Sequence, residues 1–411
     1  MPRGGAPPSA LPRQVTLFGW VSLLNDFASE MIYPLLPAFV TGVLGAGPSA
    51  LGALDGAAEF TAAFVKLAAG RLADRRPLRG RMIVIGYVVA VVVRPVIALT
   101  GAAWQVIGLR VVDRIGKGIR TPPRDALIAD ITAPAMRGRA FGLQRGMDHA
   151  GAVLGPLVAW WLLAAGHADL RAVIGASIAP GVVVVLLALW AVRDAARRQG
   201  EAPQQGRPGP AHPAVAASAA AAAASRADTP APARAFAPLL AIACFYLLRM
   251  PDTLIILRSQ QLGVPVAVVP LLWAAVHVVR SSSSFFGGAA SDRLGPGRTM
   301  WVGWLVYAAL ALAMARAQSA GAAWAVFLGI GLVAGLTESP ERALVARLAG
   351  ARQGSGFGVY HSVTGFAALV GGVALGAAFQ VYGAGPAFVV SALGGLALVV
   401  AWPVVASRRT R

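Results

Sequence analysis

A row of charged residues lies within an apolar stretch for which the sequence predicts a membrane-spanning helix. Arg110, Asp113, Arg114 and Lys117 follow i, i+3, i+4, i+7 spacing, so they share one face of that helix. If Trp104 marks the outer interface, a rise of about 1.5 Å per residue puts Arg114 roughly 15 Å deep. This depth is near the middle of a hydrocarbon core about 30 Å thick. Lipid cannot solvate such a row, so we expect it to face a bundle interior or a water-filled transport pathway.

The inner end of the same stretch contains residues that disfavour a regular helix. Gly116, Gly118 and the pair Pro122-Pro123 follow or interrupt the charged row. Proline lacks a backbone donor and clashes with the preceding turn. We therefore expect these residues to weaken or break the helix at its inner end.

Acidic residues in the first two predicted spans are candidate proton carriers. Asp26 and Glu30 lie four residues apart, and Asp55 and Glu59 repeat this spacing in the second span. Burial favours the neutral form of a carboxyl group, so its charge can change with access to either side of the membrane. The structural alternative is an ion pair with the basic row of span four or, for Asp55, a position near the outer surface.

Other ionisable side chains recur inside later spans. Arg145, Asp148 and His149 share one helix face, although a buried histidine is also compatible with a packing role. The only two lysines, Lys66 and Lys117, fall in or near spans, and lysine can lose its proton when desolvated. The residues that we expect to couple protons or line a substrate cavity are Asp26, Glu30, Glu59, Lys66, Arg110, Asp113, Arg114, Lys117, Arg145, Asp148, His149, Arg249, Asp252, His277, Glu338 and His361.

Composition restricts the class of protein. The chain has 411 residues, of which 57% are apolar and 13% are charged, against about 25% charged in soluble domains. The net charge of +19 comes from arginines clustered in alternate loops, which is the positive-inside pattern and does not indicate nucleic-acid binding. We therefore predict a multi-pass protein of the cytoplasmic (inner) membrane with both termini in the cytoplasm. Cys244 is the single cysteine, which excludes an internal disulfide.

Twelve apolar segments divide into two sets of six. Residues 1–193 form the predicted N-terminal bundle, 194–236 a flexible cytoplasmic linker rich in Ala, Pro and Gln, and 237–411 the C-terminal bundle. The twelve segments are 14–40, 48–72, 80–100, 103–126, 139–165, 171–193, 237–259, 266–290, 299–316, 321–346, 355–381 and 385–406.

The two halves repeat each other. GRLADR at 70–75 matches GAASDR at 288–293, PRDALIAD at 123–130 matches PERALVAR at 340–347, and RAFG at 139–142 matches SGFG at 355–358. The three offsets are nearly equal. Parallel repeats of this kind predict two pseudo-symmetric helical bundles with the substrate site between them.

Twelve spans, a central linker and a Gly-x3-Asp-Arg loop after spans two and eight together resemble the major facilitator superfamily. The resemblance implies an all-α membrane fold that works by alternating access. In that family the loop continues to Gly and Arg, a pattern that the second copy follows loosely and the first leaves after Arg75. The residues assigned to a cytoplasmic gate, from these loops and from the inner ends of spans four and ten, are Gly70, Asp74, Arg75, Arg124, Asp125, Gly288, Asp292, Arg293, Glu341 and Arg342.

Span five resembles the antiporter motif of drug exporters in the same family. Gly151, Gly155 and Pro156 match it, whereas Ala159 and Trp160 stand where the motif has a glycine pair. This partial match favours export over uptake.

The predicted function is secondary active transport of a small solute, coupled to protons. Uptake or export of an organic anion or a metal chelate is the main alternative, and a non-transporting membrane sensor is an alternative from another class. No nucleotide-binding loop or nucleophile motif occurs, so we expect neither an enzyme nor a cofactor. His149, His277 and His361 lie on separate spans without ligand spacing, so we predict no metal site. The resemblance implies a monomer. The basic residues that would attract an anion are Lys66, Arg94, Arg110, Arg114, Arg145, Arg249 and Arg280.

Overall fold

Long apolar segments fold as helices here because lipid offers no partners for backbone polar groups. The computed structural model describes residues 11–73, 76–132, 137–166, 168–201, 236–349 and 353–407. We call the end with the arginine-rich loops the inner end and the opposite end the outer end. In the first half, the long helices are α1 (Arg13–Ile32), α2 (Pro48–Ala73), α3 (Arg76–Val96), α4 (Ala103–Ile131), α5 (Arg137–Ala164) and α6 (Ile178–Glu201).

The second half repeats this pattern with one interruption. Its seventh helix consists of α7a (Phe236–Leu248) and α7b (Asp252–Gln261), and then come α8 (Val269–Leu294), α9 (Pro296–Arg316), α10 (Ala320–Ala349), α11 (Gln353–Tyr382) and α12 (Ala384–Ser407). Helix α6 runs eight residues beyond the predicted end of the first bundle. Residues 202–235, most of the predicted linker, lie outside the described residues.

Nine helical segments in the described part of the chain are long and apolar enough to cross a bilayer. The other three long helices are α1, α2 and α4. They are long enough, but their polar and charged residues lower the hydropathy. These three helices carry most of the ionisable residues that the sequence analysis selected in the first half.

Helix α4 is continuous through Pro122 and Pro123, so the predicted break at this point is wrong. A neighbouring helix packs closely against this region. A Cβ added to Gly118 would meet the Val65 side chain of α2 at 2.6 Å, which shows how closely the two helices pack. The Thr121 hydroxyl donates to the Lys117 carbonyl at 2.7 Å, a bond within the helix just before the two prolines.

Two other helices, α1 and α7, depart from regular helical geometry. Helix α1 continues from Tyr33 to Val43 through a 3-10 turn, a short helix Leu36–Ala38 and a π turn, because Pro34 and Pro37 remove backbone donors. Helix α7 breaks before Asp252. At the break, the Met250 amide donates to the Tyr307 hydroxyl at 2.6 Å, so the interrupted backbone remains bonded.

The two bundles meet along α2 and α11, where glycines replace side chains. We call Gly52, Gly56, Gly372 and Gly376 the glycine seam. A Cβ on Gly52 would lie 1.9 Å from the Gly372 carbonyl oxygen, and a Cβ on Gly372 would lie 2.5 Å from the Gly52 oxygen. The backbones therefore touch directly, as small residues allow in membrane helices.

Replacing Gly52 with alanine should destabilise the protein, because the new methyl group meets backbone that has no rotamer to change. We expect a loss of about 1–3 kcal/mol, read as a lower midpoint of thermal unfolding in detergent. Gly108→Ala on α4 is the control, since a Cβ there meets nothing within 4 Å. Equal midpoints for the two variants would show that the seam does not constrain this interface.

Candidate functional site

A cavity of about 420 Å³ lies between the two bundles. Its walls come from α1, α2 and α4 on one side and from α7, α8, α10 and α11 on the other. It brings together eleven of the residues that the sequence analysis expected at a proton-coupling or substrate site. They are Glu30, Glu59, Lys66, Arg110, Arg114, Lys117, Arg249, Asp252, His277, Glu338 and His361.

The lining carries more positive than negative charge. Asp55, Arg280 and Arg342 also contribute to it. With these, the lining holds seven Lys or Arg and five Asp or Glu residues, an excess of two positive charges. Several basic residues are paired with acids, so the individual pairs decide where the excess lies.

Asp113 is the centre of the basic wall, although it does not line the cavity. Its side chain is fully buried and lies 3.0 Å from Arg94, 3.5 Å from Arg110 and 3.6 Å from Arg114. The shared carboxylate compensates part of the charge of three buried arginines and fixes their positions. Asp113 was predicted to line the cavity. In the structure it lies behind the cavity wall, as the anion that binds these arginines.

Polar groups of α1 also bind arginines from α3 and α4. The Arg94 and Arg120 guanidinium groups donate to the Asn25 side-chain oxygen, both at 3.2 Å. Arg124 donates to the Ser22 hydroxyl at 3.1 Å and to the Asp125 carboxylate at 3.0 Å. Arg124 and Asp125, which the sequence assigned to the gate, thus make these contacts inside the first bundle.

The two lysines line the cavity, and neither forms an ion pair with a carboxylate among the described residues. Lys66 on α2 and Lys117 on α4 form no ion pair within the described part of the chain, whereas Glu338 and Arg342 lie 3.8 Å apart. These ammonium groups are therefore available to a ligand in the cavity. The excess of two positive charges is divided equally, because each of the two walls carries one more basic than acidic residue.

The opposite wall is built around Asp252. This residue begins α7b, next to the break in the helix, where the positive end of the helix dipole favours a carboxylate. Arg280 of α8 lies 2.8 Å from it and Arg249 lies 3.7 Å from it. The Arg280 guanidinium also stacks over the Trp273 ring at 5.2 Å. The three charged residues form one ion-paired group with a formal charge of +1.

Glu30 joins the two bundles at the cavity. The Trp273 indole of α8 donates to the Glu30 carboxylate at 2.9 Å. The His277 Nε2 atom lies 3.8 Å from the same carboxylate and has no hydrogen-bond partner among the described residues. A proton acceptor on α1 therefore contacts a hydrogen-bond donor and a second titratable group from the other bundle.

Asp55 makes a second connection between the bundles, towards the outer end. It accepts hydrogen bonds from the Thr253 amide at 3.2 Å and from the Thr253 hydroxyl at 2.8 Å. The Tyr33 hydroxyl donates to its other oxygen at 3.0 Å. Asp55 thus accepts from donors at the start of α7b that have no partner within that helix. An N-cap residue does the same, but Asp55 belongs to a different bundle. We call these contacts the outer latch.

A further predicted group lies beside the cavity and not in its lining. Asp148 accepts a hydrogen bond from Gln144 at 2.6 Å, and Asp26 accepts one from Asn25 at 2.9 Å. Arg145 and His149 are exposed. His149 interacts electrostatically with Asp26 in its own bundle and with Glu338 in the other.

The predicted gate residues have different surroundings. Glu341 is fully buried and accepts hydrogen bonds from Tyr360 at 2.8 Å and from Tyr246 at 3.2 Å, all within the second bundle. Gly70 faces open space near the end of α2, and Arg293 is exposed. Asp74 and Arg75 lie outside the described residues. Gly288 and Asp292 belong to the inner end of α8.

The antiporter-like motif serves close packing within the first bundle. A Cβ on Gly151 would lie 2.1 Å from the Leu23 oxygen, and one on Gly155 would lie 2.2 Å from the Phe27 oxygen. Pro156 follows inside α5. The motif therefore brings α5 against the helix that carries Asp26 and Glu30.

Sequence reasoning missed three contacts of the acidic residues. Tyr33 lies three residues after Glu30 and shares its helix face, which is a signal that the spacing contained. Thr253 and Trp273 gave no comparable signal, because their partners lie 198 and 243 residues away in the chain. No group of three metal-ligating side chains occurs among the described residues.

Replacing Asp113 with asparagine should strongly destabilise the protein, since it leaves three buried arginines without their shared anion. We expect a loss of about 3–5 kcal/mol, measured as thermal unfolding in detergent. Glu338→Gln is the matched control, because its ion pair with Arg342 is 3.8 Å long and both side chains are about half exposed. That change should cost at most about 1 kcal/mol. Similar losses would contradict a central role for Asp113.

Comparisons with known proteins agree with this architecture. Residues 18–372 match the family model of the Major Facilitator Superfamily. The chain is 26% identical over 368 residues to the uncharacterised MFS-type transporter MJ1317 of Methanocaldococcus jannaschii, covering 87% of this chain and 86% of that protein. It is 31% identical over 142 residues to the multidrug resistance protein MdtH of Photorhabdus laumondii, covering 34% and 35% of the two chains.

A solved structure shows the same fold. The crystal structure of the nucleoside transporter NupG (D323A mutant) aligns with a TM-score of 0.71 and 12% identity, over 96% of this chain and 100% of that chain. The family match covers most of the sequence, and the structure has the expected repeated helical halves with a polar cavity between them. The chain therefore belongs to the Major Facilitator Superfamily and is a membrane transporter of that family.

Proposed function

We propose that the protein is a proton-coupled secondary active transporter of a small solute. The observation that carries the proposal is that Glu30 and Asp55 both line the cavity and both hydrogen-bond to the opposite bundle. A titratable group in such a position touches the substrate space and also contributes to closure between the bundles. Proton binding and conformational change then act on the same atoms.

The chemistry of the Glu30 contact supports such coupling. A carboxylate accepts a stronger hydrogen bond from the Trp273 indole than a neutral carboxyl group does. Protonation of Glu30 therefore weakens one contact between the bundles, and loss of the proton restores it. His277, 3.8 Å away, offers a nearby exchange partner for that proton.

The outer latch supports alternating access. Asp55 and Thr253 join α2 to α7b, and Ser49 donates to the Gln380 side chain of α11 at 2.5 Å. These contacts hold the outer ends of the two bundles together. When they separate, the same cavity can open to the outer side, and the substrate does not need a continuous pore.

The proposal extends to the direction of flux and to the class of substrate. The partial antiporter motif and the partial similarity to MdtH favour export by proton antiport. A second candidate is transport of an organic anion or a metal chelate, which the excess positive charge and the free ammonium groups of Lys66 and Lys117 favour. We place the protein in the cytoplasmic membrane as a monomer, with both termini on the arginine-rich, cytoplasmic side.

Thr253→Val should open the outer end more often. The change keeps the side-chain shape but removes one donor to a carboxylate, worth about 1.5–3 kcal/mol, which is about tenfold or more in the ratio of open to closed molecules. The measurement is labelling of an Ala58→Cys reporter in the cavity by an impermeant maleimide from the outer side, in a Cys244→Ser background. Thr41→Val is the control, because that hydroxyl donates to the Pro37 carbonyl one turn earlier. Unchanged labelling in Thr253→Val would remove the latch from the mechanism.

Glu30→Gln, Asp26→Asn and Asp148→Asn should each abolish proton-driven flux while substrate binding persists. The amide retains most of the shape of the side chain but cannot carry the proton. Flux is followed in liposomes that contain a pH-sensitive dye, with an imposed proton gradient. The candidate substrates are cationic drugs, organic anions and metal–citrate complexes, and binding is measured by thermal shift.

The control for this assay is Asp169→Asn in the outer loop, where asparagine can still cap the short helix Leu170–Ala176. Wild-type rates of flux in one of the three carboxylate variants would exclude that residue from proton coupling. Substrate-dependent proton movement with anions alone would select the second candidate. Binding without any flux, under all gradients, would instead support a non-transporting sensor.

A further inference from the structure

A groove lies at the inner end of the first bundle, separate from the central cavity. It is bounded by α3, α4 and α6 and has a volume of about 630 Å³. No residue lines both spaces. Its walls are apolar, formed by residues such as Val84, Leu127 and Leu189, whereas Arg81 and Arg193 lie at its rim.

Two of the three arginines at the groove form no ion pair in the described part of the chain. A third arginine, Arg79, donates to the Asp130 carboxylate at 2.5 Å and to the Ala73 carbonyl at 2.6 Å. Arg81 and Arg193 are exposed, and neither forms an ion pair within the residues that the structure describes. Two guanidinium groups thus remain at the mouth of an apolar groove.

The apolar surface continues from the groove towards the middle of the membrane. On α3, Ile85 is 53% exposed and Val92 is 58% exposed, and Val88 lies between them on the same face. On α6, Leu186 is 61% exposed and lies one turn from Leu189. A small soluble anion would use only the rim, whereas an acyl chain would also follow this apolar surface.

We propose that this groove binds one anionic phospholipid from the leaflet on the arginine-rich side. The phosphate lies between Arg81 and Arg193, and an acyl chain runs along Val84, Ile85 and Leu189. The charge of the rim is complementary to an anionic headgroup, and the order of arginines and apolar residues matches the order of headgroup and tail. Lipid binding here does not depend on which solute the protein transports.

The position of the lipid suggests what it stabilises. Arg79 links the start of α3 to the end of α2 through the Ala73 carbonyl and to α4 through Asp130. The lipid adds α6 to this group by way of Arg193. It therefore fastens the inner ends of α3, α4 and α6 beside the end of α2 at Ala73.

Native mass spectrometry of the full-length protein in mild detergent tests the proposal. The probes are phosphatidylglycerol and phosphatidylcholine with identical acyl chains. We expect one tightly retained phosphatidylglycerol and weaker retention of phosphatidylcholine. Arg81→Gln with Arg193→Gln should reduce phosphatidylglycerol affinity about fivefold per arginine. Val84→Trp, which fills the groove and leaves the arginines in place, should also reduce it.

The charge-matched control is Arg71→Gln with Arg298→Gln, two exposed arginines at the inner end that lie outside the groove. This control should bind phosphatidylglycerol like the wild type. Gel filtration and thermal unfolding establish that each variant is folded. Equal losses in the control would show attraction to general basic charge, and undiminished binding in Val84→Trp would show that no acyl chain enters the groove. Either result would overturn the proposal.

Discussion

The arrangement of the first bundle depends on one buried carboxylate. Asp113 lies among the guanidinium groups of Arg94, Arg110 and Arg114, in surroundings where an isolated ion is costly. One anion shared by three cations leaves residual positive charge, and the neighbouring polar atoms of Asn25 take up part of it. Arg110 and Arg114 can therefore face the cavity while their charge is balanced from behind. This balance explains how a helix as polar as α4 remains between the apolar helices of a membrane protein.

The second bundle solves the same physical problem in a different way. Its charged group, Arg249, Asp252 and Arg280, contains two cations for one anion and sits at an interruption of the helix. The break supplies backbone donors at the start of α7b, and Asp55 from the first bundle binds one of them. The ion pairs of Asp113 and Asp252 thus remain within one bundle. The hydrogen bonds that join the bundles use single carboxylates at Glu30 and Asp55 and neutral side chains at Ser49 and Gln380. The ion pairs that build the cavity walls are therefore a different set of interactions from the hydrogen bonds that join the two bundles.

Much of the fold and part of the site followed from the sequence. Helical spacing placed Arg110, Arg114 and Lys117 on one face, and in the structure all three line the cavity. The same spacing included Asp113, which instead points towards arginines of its own bundle. A helix face is wide enough to touch both a cavity and a neighbouring helix, so spacing alone does not separate these two environments. The partners of Glu30 and Asp55 could not be predicted, because they depend on how the two halves of the chain meet.

The predicted break in α4 shows a similar limit. Pro122 and Pro123 disfavour a helix when they are considered alone, but α4 stays continuous where it packs closely against α2 at Gly118. Local preference gave the wrong result where tertiary packing was tight. In contrast, the long apolar segments and the repeated motifs report on the whole chain, which explains why they predicted the helical fold correctly.

The glycine seam between α2 and α11 has a consequence for the speed of the transport cycle. Interdigitated side chains must disengage before two helices can slide past each other, which adds an activation barrier. Gly52, Gly56, Gly372 and Gly376 present nearly smooth backbone surfaces, so little has to disengage. We therefore expect a low activation barrier for sliding at this contact, so that the two halves can rotate while α2 and α11 stay packed together.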